Sequence, residues 1–172
     1  MARALVACGL AATLFASVAV HAQAPTPQRT TATYEDWTVR CETVGTPPQK
    51  SCEMAQSATA QGQPNPITQI AIGRASKTEP VRIVFQVPVN AWLPTGVKLV
   101  YDDKEPALAA TYKRCVPIGC FADVDLKDDL VRKLRARTAQ GRFEFKDAAQ
   151  RDVAIPVSFK GFGQAFDALS KE

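Results

Sequence analysis

Val153, Ile155, Val157 and Phe159 are each separated by a single residue. Apolar side chains with a period of two belong on one face of an extended strand, because successive residues in a strand point to opposite sides. Few other folds tolerate this spacing, so it constrains the chain more than any other stretch. Pro156 lies inside the run and cannot donate a ladder hydrogen bond. The strand must therefore lie at a sheet edge or carry a bulge.

The same pattern recurs. Trp37, Val39 and Cys41 alternate within Tyr34 to Cys41, and Ile83, Phe85 and Val87 do so within Val81 to Val87. Residues 52–57, 67–73, 97–101, 107–115, 121–125 and 142–146 also read as strands, with turn-formers between them. Gln61 to Pro66 reads as a loop, and Pro88 to Gly96 as an irregular connection. The period changes only twice. Leu126, Leu130, Val131 and Leu134 lie on one helical face, with Asp125 as cap, Asp128 and Asp129 in the first turn, and Gly141 as terminator. Phe162, Ala165, Phe166 and Leu169 suggest a short terminal helix. Eight or nine short strands with one or two short helices predict a mainly β fold, an antiparallel sandwich or barrel-like domain.

Residues 1–24 read as a secretory signal. Arg3 supplies the positive start, Ala4 to Val20 is almost wholly apolar, and Ala22-Gln23-Ala24 is a small-x-small cleavage pattern. Pro-Thr-rich residues 25–33 read as a flexible leader, which leaves 34–172 as a single β-rich domain. Cleavage after Ala24 removes Cys8 and the one histidine, His21. A periplasmic or secreted destination follows, including association with the outer membrane.

Four cysteines remain, and export exposes them to oxidising conditions. Two local disulfides are favoured, Cys41 with Cys52 and Cys115 with Cys120, because Gly45 to Pro48 and Pro117 with Gly119 turn the chain between the partners. Crossed pairings would close longer loops and remain open. A zinc site needs closely spaced pairs, and ten residues separate Cys41 from Cys52. A thioredoxin-like catalyst uses Cys-x-x-Cys at a helix N-terminus. Four residues separate Cys115 from Cys120 and an extended run follows them.

With no histidine after cleavage, Ser-His-Asp and Cys-His catalysis have no base. Neither glycine-rich nucleotide motif occurs. The acid pairs Glu35-Asp36, Asp102-Asp103 and Asp128-Asp129 have strand, turn and helix-start explanations. Asp123 and Asp125 alternate on a strand but offer calcium too few oxygens. No catalytic residue, metal site or cofactor is expected.

Net charge is +4, of which Arg3 in the signal segment contributes one. So small an excess does not point to nucleic acid. Arg132, Lys133, Arg135, Arg137 and Arg142 cluster in and after the first helix. They form either a solvated face or a contact for an anionic lipid or acidic partner, with membrane contact at most peripheral. Trp92 is either an anchor on a binding loop or a plug at one end of the sandwich. The ligand and the oligomeric state stay open.

Several segments together resemble the invasion-associated locus B family of exported bacterial proteins. They are Asp36-Trp37-Thr38-Val39-Arg40-Cys41, Cys52-Glu53-Met54, Val87-Pro88, Leu93-Pro94-Thr95-Gly96-Val97, the Asp102 turn, Cys115 with Gly119-Cys120, and Pro156 to Phe162 with Ala165. The resemblance runs from about residue 34 to 169. It implies a secreted or periplasmic β-rich domain and a role in bacterial entry into host cells, red cells for the founding member. It supplies no catalytic mechanism. The expected function is an exported, non-enzymatic binding protein of the envelope whose partner is an envelope or host-surface component. The alternative is a thiol-disulfide oxidoreductase or isomerase using Cys115 and Cys120.

Overall fold

A computed structural model of the chain describes residues 29–59, 62, 65–76 and 78–172. The signal segment, the start of the leader and part of the 61–66 loop lie outside the described residues. Ten strands occur: β1 (Arg29–Tyr34), β2 (Trp37–Val44), β3 (Gln49–Ala58), β4 (Thr68–Gly73), β5 (Arg82–Val87), β6 (Val97–Val100), β7 (Leu108–Val116), β8 (Gly119–Asp125), β9 (Gly141–Lys146) and β10 (Asp152–Val157). Helix α1 (Asp128–Arg135) joins β8 to β9, and α2 (Phe162–Ser170) ends the chain. Every pairing is antiparallel, in the order β1-β2-β3-β4-β5-β8-β7-β6-β9-β10. The fold is mainly β, as the alternating pattern predicts.

The ladder folds over on itself to make a core. Phe85 on β5 and Phe143 on β9 are four steps apart in strand order, yet their rings lie 5.4 Å apart. Strand β7 makes the corner. Its residues 108–110 pair with β6 and residues 111–116 pair with β8, with a register shift between Tyr112 and Arg114. A strand that changes sheets through a bulge is a known way to turn a corner between packed layers.

The inward faces are those the alternation marks. Trp37, Val39, Cys41, Ile83, Phe85 and Val87 are all buried. Strand β10 is an edge strand, one of the two positions Pro156 allows. Its exit is tied back to the far end of the ladder. The Trp37 indole Nε1 donates to the Ser158 carbonyl at 2.9 Å. The Gln56 amide oxygen accepts from the Ser158 N–H at 2.9 Å, while its Nε2 donates to the Asp36 and Ser158 carbonyls at 3.0 and 3.3 Å. Helix α2 caps this end, with Phe162 edge-on to Trp37 at 5.2 Å.

Four expectations need correction. Residues 29–33 are not a flexible leader but most of strand β1, and Tyr34 to Cys41 is not one strand. Glu35, at φ 51°, turns the chain so that Tyr34 faces Trp37 across a hairpin. Strand β1 is a threonine-rich edge whose side chains are mostly exposed, so it carries no apolar alternation to read. Helix α1 starts after Lys127, not Asp125, which belongs to β8 and gives its carboxylate to Arg82 Nε at 2.9 Å. The helix ends at Arg135, and Gly141 opens β9 instead of closing the helix.

Candidate binding surface

Both local disulfides are closed: Cys41–Cys52 joins β2 to β3, and Cys115–Cys120 joins β7 to β8. The Cα atoms are 4.1 and 4.0 Å apart. Separations this short belong to non-hydrogen-bonded positions of an antiparallel ladder, where side chains approach most closely. Cys120 is fully buried as the second residue of a hairpin strand, not of a helix, so no helix N-terminus is present to lower a thiol pKa. The Glu172 carboxylate lies within 4.8 Å of the Cys41 and Cys52 sulfurs. Those sulfurs are bonded to each other and offer no thiolate to a metal.

The Cys115–Cys120 hairpin projects a tip at Pro117-Ile118, and Ile118 is 73% exposed. The Gln86 side-chain amide donates to the Ile118 carbonyl at 2.9 Å and holds the tip against β5. Gly119 permits this packing. It has φ 152°, and a Cβ there would stand 2.7 Å from the Val87 carbonyl oxygen. The Cys120 sulfur lies 3.9 Å from the Val89 carbonyl, so the segment after β5 runs beside the hairpin. Val89 is 59% exposed. Leu93 and Val116 are also exposed, so among the described residues four of the five exposed large apolar side chains belong to this hairpin and the 88–95 segment.

Trp92 sits in that segment and is half-buried. Its N–H donates to the Lys146 carbonyl at 2.7 Å, and it precedes a 3-10 turn at Leu93–Thr95. The turn ends at Gly96, φ 65°, where a Cβ would meet the Ala110 carbonyl oxygen at 2.4 Å. Between the turn and β7 lies a groove of about 510 Å³, lined by Leu93 to Gly96 and Ala109 to Cys115. Tyr112 lines it; its buried hydroxyl has no hydrogen-bond partner, and burial pushes the phenol pKa up to about 12.

The basic cluster is organised by ion pairs. Arg137 Nη1 meets Asp102 at 2.6 Å, and Lys133 meets Glu105 at 2.8 Å. Arg142 meets Asp103 at 3.0 Å and Glu144 at 2.6 Å. Arg135 turns to Asp167 on α2 at 2.6 Å and stacks over Phe166. The cluster thus ties the 102–105 loop and α2 to α1 and β9. Arg132 is the member of the cluster with no acidic partner among the described residues. The Lys104 N–H and then Arg137 hold the Asp102 carboxyl below its ordinary range, and the hydrogen bonds that Arg142 donates to the Glu144 and Asp103 carboxylates raise the Arg142 pKa. Asp123 and Asp125 both face Arg82, at 3.9 and 2.9 Å.

Sequence reasoning named Trp92 but missed Val89, Leu93, Val116 and Ile118. Isolated apolar residues in a Pro- and Gly-rich connection carry no periodicity. The signal that could have found them is an apolar tip inside a six-residue disulfide loop, where a turn would ordinarily be polar.

The sequence pattern described as the invasion associated locus B (IalB) protein matches residues 37–170, well over half of the chain. The chain belongs to the IalB family. IalB relatives include two invasion protein B homologs of Brucella abortus, from strain 2308 and from biovar 1 strain 9-941. Each is 29% identical over 138 residues, covering 80% of this chain and 77% of the relative. The IalB fold is also seen in the crystal structure of invasion associated protein B from Bartonella henselae. That structure aligns with TM-score 0.69 at 21% identity over 81% of this chain and 94% of the other. IalB membership and two closed disulfides mark an extracellular or envelope protein. No helix among the described residues is long and apolar enough to cross a membrane.

Proposed function

We propose that this IalB protein is an exported, non-catalytic binding protein of the bacterial envelope, acting on a protein partner in the periplasm or at the cell surface. In a bacterium that enters host cells, that partner can be a host-surface component. The observation that carries this reading is the grouping of Val89, Leu93, Val116 and Ile118 at one end of the fold. Soluble proteins expose single apolar side chains routinely, but a group on adjoining segments is typical of a contact surface. The disulfide and the Gln86 bond hold the tip in place before a partner arrives, which lowers the entropic cost of binding.

The basic cluster supports the same reading by subtraction. Four of its five cations already have acidic partners, so the apolar end is the better contact surface. Capture from envelope fractions by wild-type protein and by a Val89→Asp, Ile118→Asp variant tests it. A specific partner retained by the wild type and lost by the variant is expected. Equal retention by both would overturn this placement, and insulin reduction that disappears with Cys120→Ser would overturn the non-catalytic reading.

A further inference from the structure

Strand β7 is nine residues long, yet β6 accompanies it only over residues 108–110. Beyond Ala110 the chain that would continue β6 turns away at Gly96 into the 3-10 turn. Among the described residues no strand pairs with Tyr112 to Val116 on that side, and no other backbone hydrogen bond reaches them. At about 3.3 Å per residue this is an open edge roughly 17 Å long.

The edge is also aimed outward. Cys115 and Cys120 form a non-hydrogen-bonded pair, given their Cα separation of 4.0 Å. The N–H and C=O of Cys115 therefore point away from β8, toward the open side. Cys115 lines the groove whose opposite wall is Leu93 to Gly96. A groove of about 510 Å³ beside a free edge has room for several residues of extended chain. Sheet edges are usually blocked by charge, proline or a covering loop because they recruit further strands. Here the covering loop stands off.

Lys113 and Arg114 flank this edge. Neither has an acidic partner among the described residues, and the Arg114 guanidinium lies 5.4 Å over the Phe121 ring.

We propose that residues 112–116 of β7 accept an extended acidic peptide segment of a partner protein as an added strand. Main-chain bonds to Cys115 would give affinity, Leu93 and Pro94 would pack alternate side chains, and Lys113 with Arg114 would select acids. This deepens the proposed function by naming how the partner is held, and it rests on that reading.

The test uses the disulfide-bonded protein and a fluorescent heptapeptide alternating Glu and Val, read by anisotropy. Binding is expected to weaken at least about tenfold when alternate peptide amides are N-methylated, when Glu is replaced by Lys, or when the protein carries Lys113→Glu with Arg114→Glu. The amide of Cys115 should gain hydrogen-exchange protection only with the unmethylated peptide. No binding, or equal binding of the methylated peptide, overturns the inference. So does a protein dimer that forms through this edge and excludes the peptide. Both variant residues are exposed, and a thermal melt confirms folding. Loss of peptide binding while envelope capture still depends on Val89 and Ile118 would remove this inference and leave the proposed function standing. Peptide binding with capture indifferent to those residues would do the reverse.

Discussion

Gln56→Met is expected to loosen the closure of the fold without disturbing the core. The Gln56 side chain is half-buried on β3 and makes three bonds, two to Ser158 after β10, a segment that no strand pairing joins to β3, and one to Asp36 just before β2. Two are short, at 2.9 and 3.0 Å, and one is long, at 3.3 Å. A typical intramolecular hydrogen bond contributes a net 0.5–1.5 kcal/mol, so the clamp should be worth about 2–3 kcal/mol. Methionine keeps the length and removes every polar contact, and the Ser158 N–H then loses its partner. For a domain of this size the loss corresponds to roughly 6–12 °C in Tm. Gln56→Glu should cost more at neutral pH, because an oxygen replaces Nε2 opposite the Asp36 and Ser158 carbonyls. Urea unfolding in a Trp92→Phe background measures this through Trp37, whose indole bonds to the same Ser158 carbonyl. A Gln56→Met protein within about 0.5 kcal/mol of its parent, with unchanged Trp37 emission, would refute the claim that this side chain ties the two ends of the ladder together.

Replacing both cysteines of a pair by alanine should cost about 2 kcal/mol for Cys115–Cys120 and about 3 for Cys41–Cys52 on a chain-entropy account, since the sequence separations are 5 and 11. Equilibrium unfolding gives both values, and a reversed order would refute the chain-entropy account. Tyr112 should titrate at about 12 by ultraviolet difference absorption. A phenol pKa raised by folding adds stability that is complete below about 10 and is lost as pH rises toward 12. Asp102 and Asp147 should titrate below the usual carboxylate range by carbon-detected NMR. The Lys104 N–H and Arg137 lower the first, and the side chain and N–H of Arg151 lower the second. Their contribution is therefore present above about pH 4 and lost as pH falls below it. Arg137→Ala should return Asp102 only part of the way, since the Lys104 N–H bond remains.

The alternation at Val153 to Phe159, with Pro156 inside it, was enough to specify a strand that lies at an edge or carries a bulge, and the sheet order then places it at the edge. The inward faces of β2 and β5 were equally legible, because burial on one side imposes a period of two that survives in any sequence. The local cysteine pairings were legible as a preference, since short loops with turn residues bring sulfurs together whatever the rest of the fold does. Strand β1 was not legible, because an exposed edge has no face to bury and so no pattern to leave.

What residues along the chain determined by themselves was local: which stretches are extended and which faces are apolar. The tertiary structure alone decided where distant segments meet. Asp102, Asp103, Glu105 and Asp167 neutralise a basic cluster that looks free in sequence, because ion pairing depends on proximity in space and these acids lie some 30 to 40 residues away along the chain. The open edge of β7 exists only because its two neighbours pair with different halves of it, and no pattern within nine residues can say how long a neighbour will stay alongside.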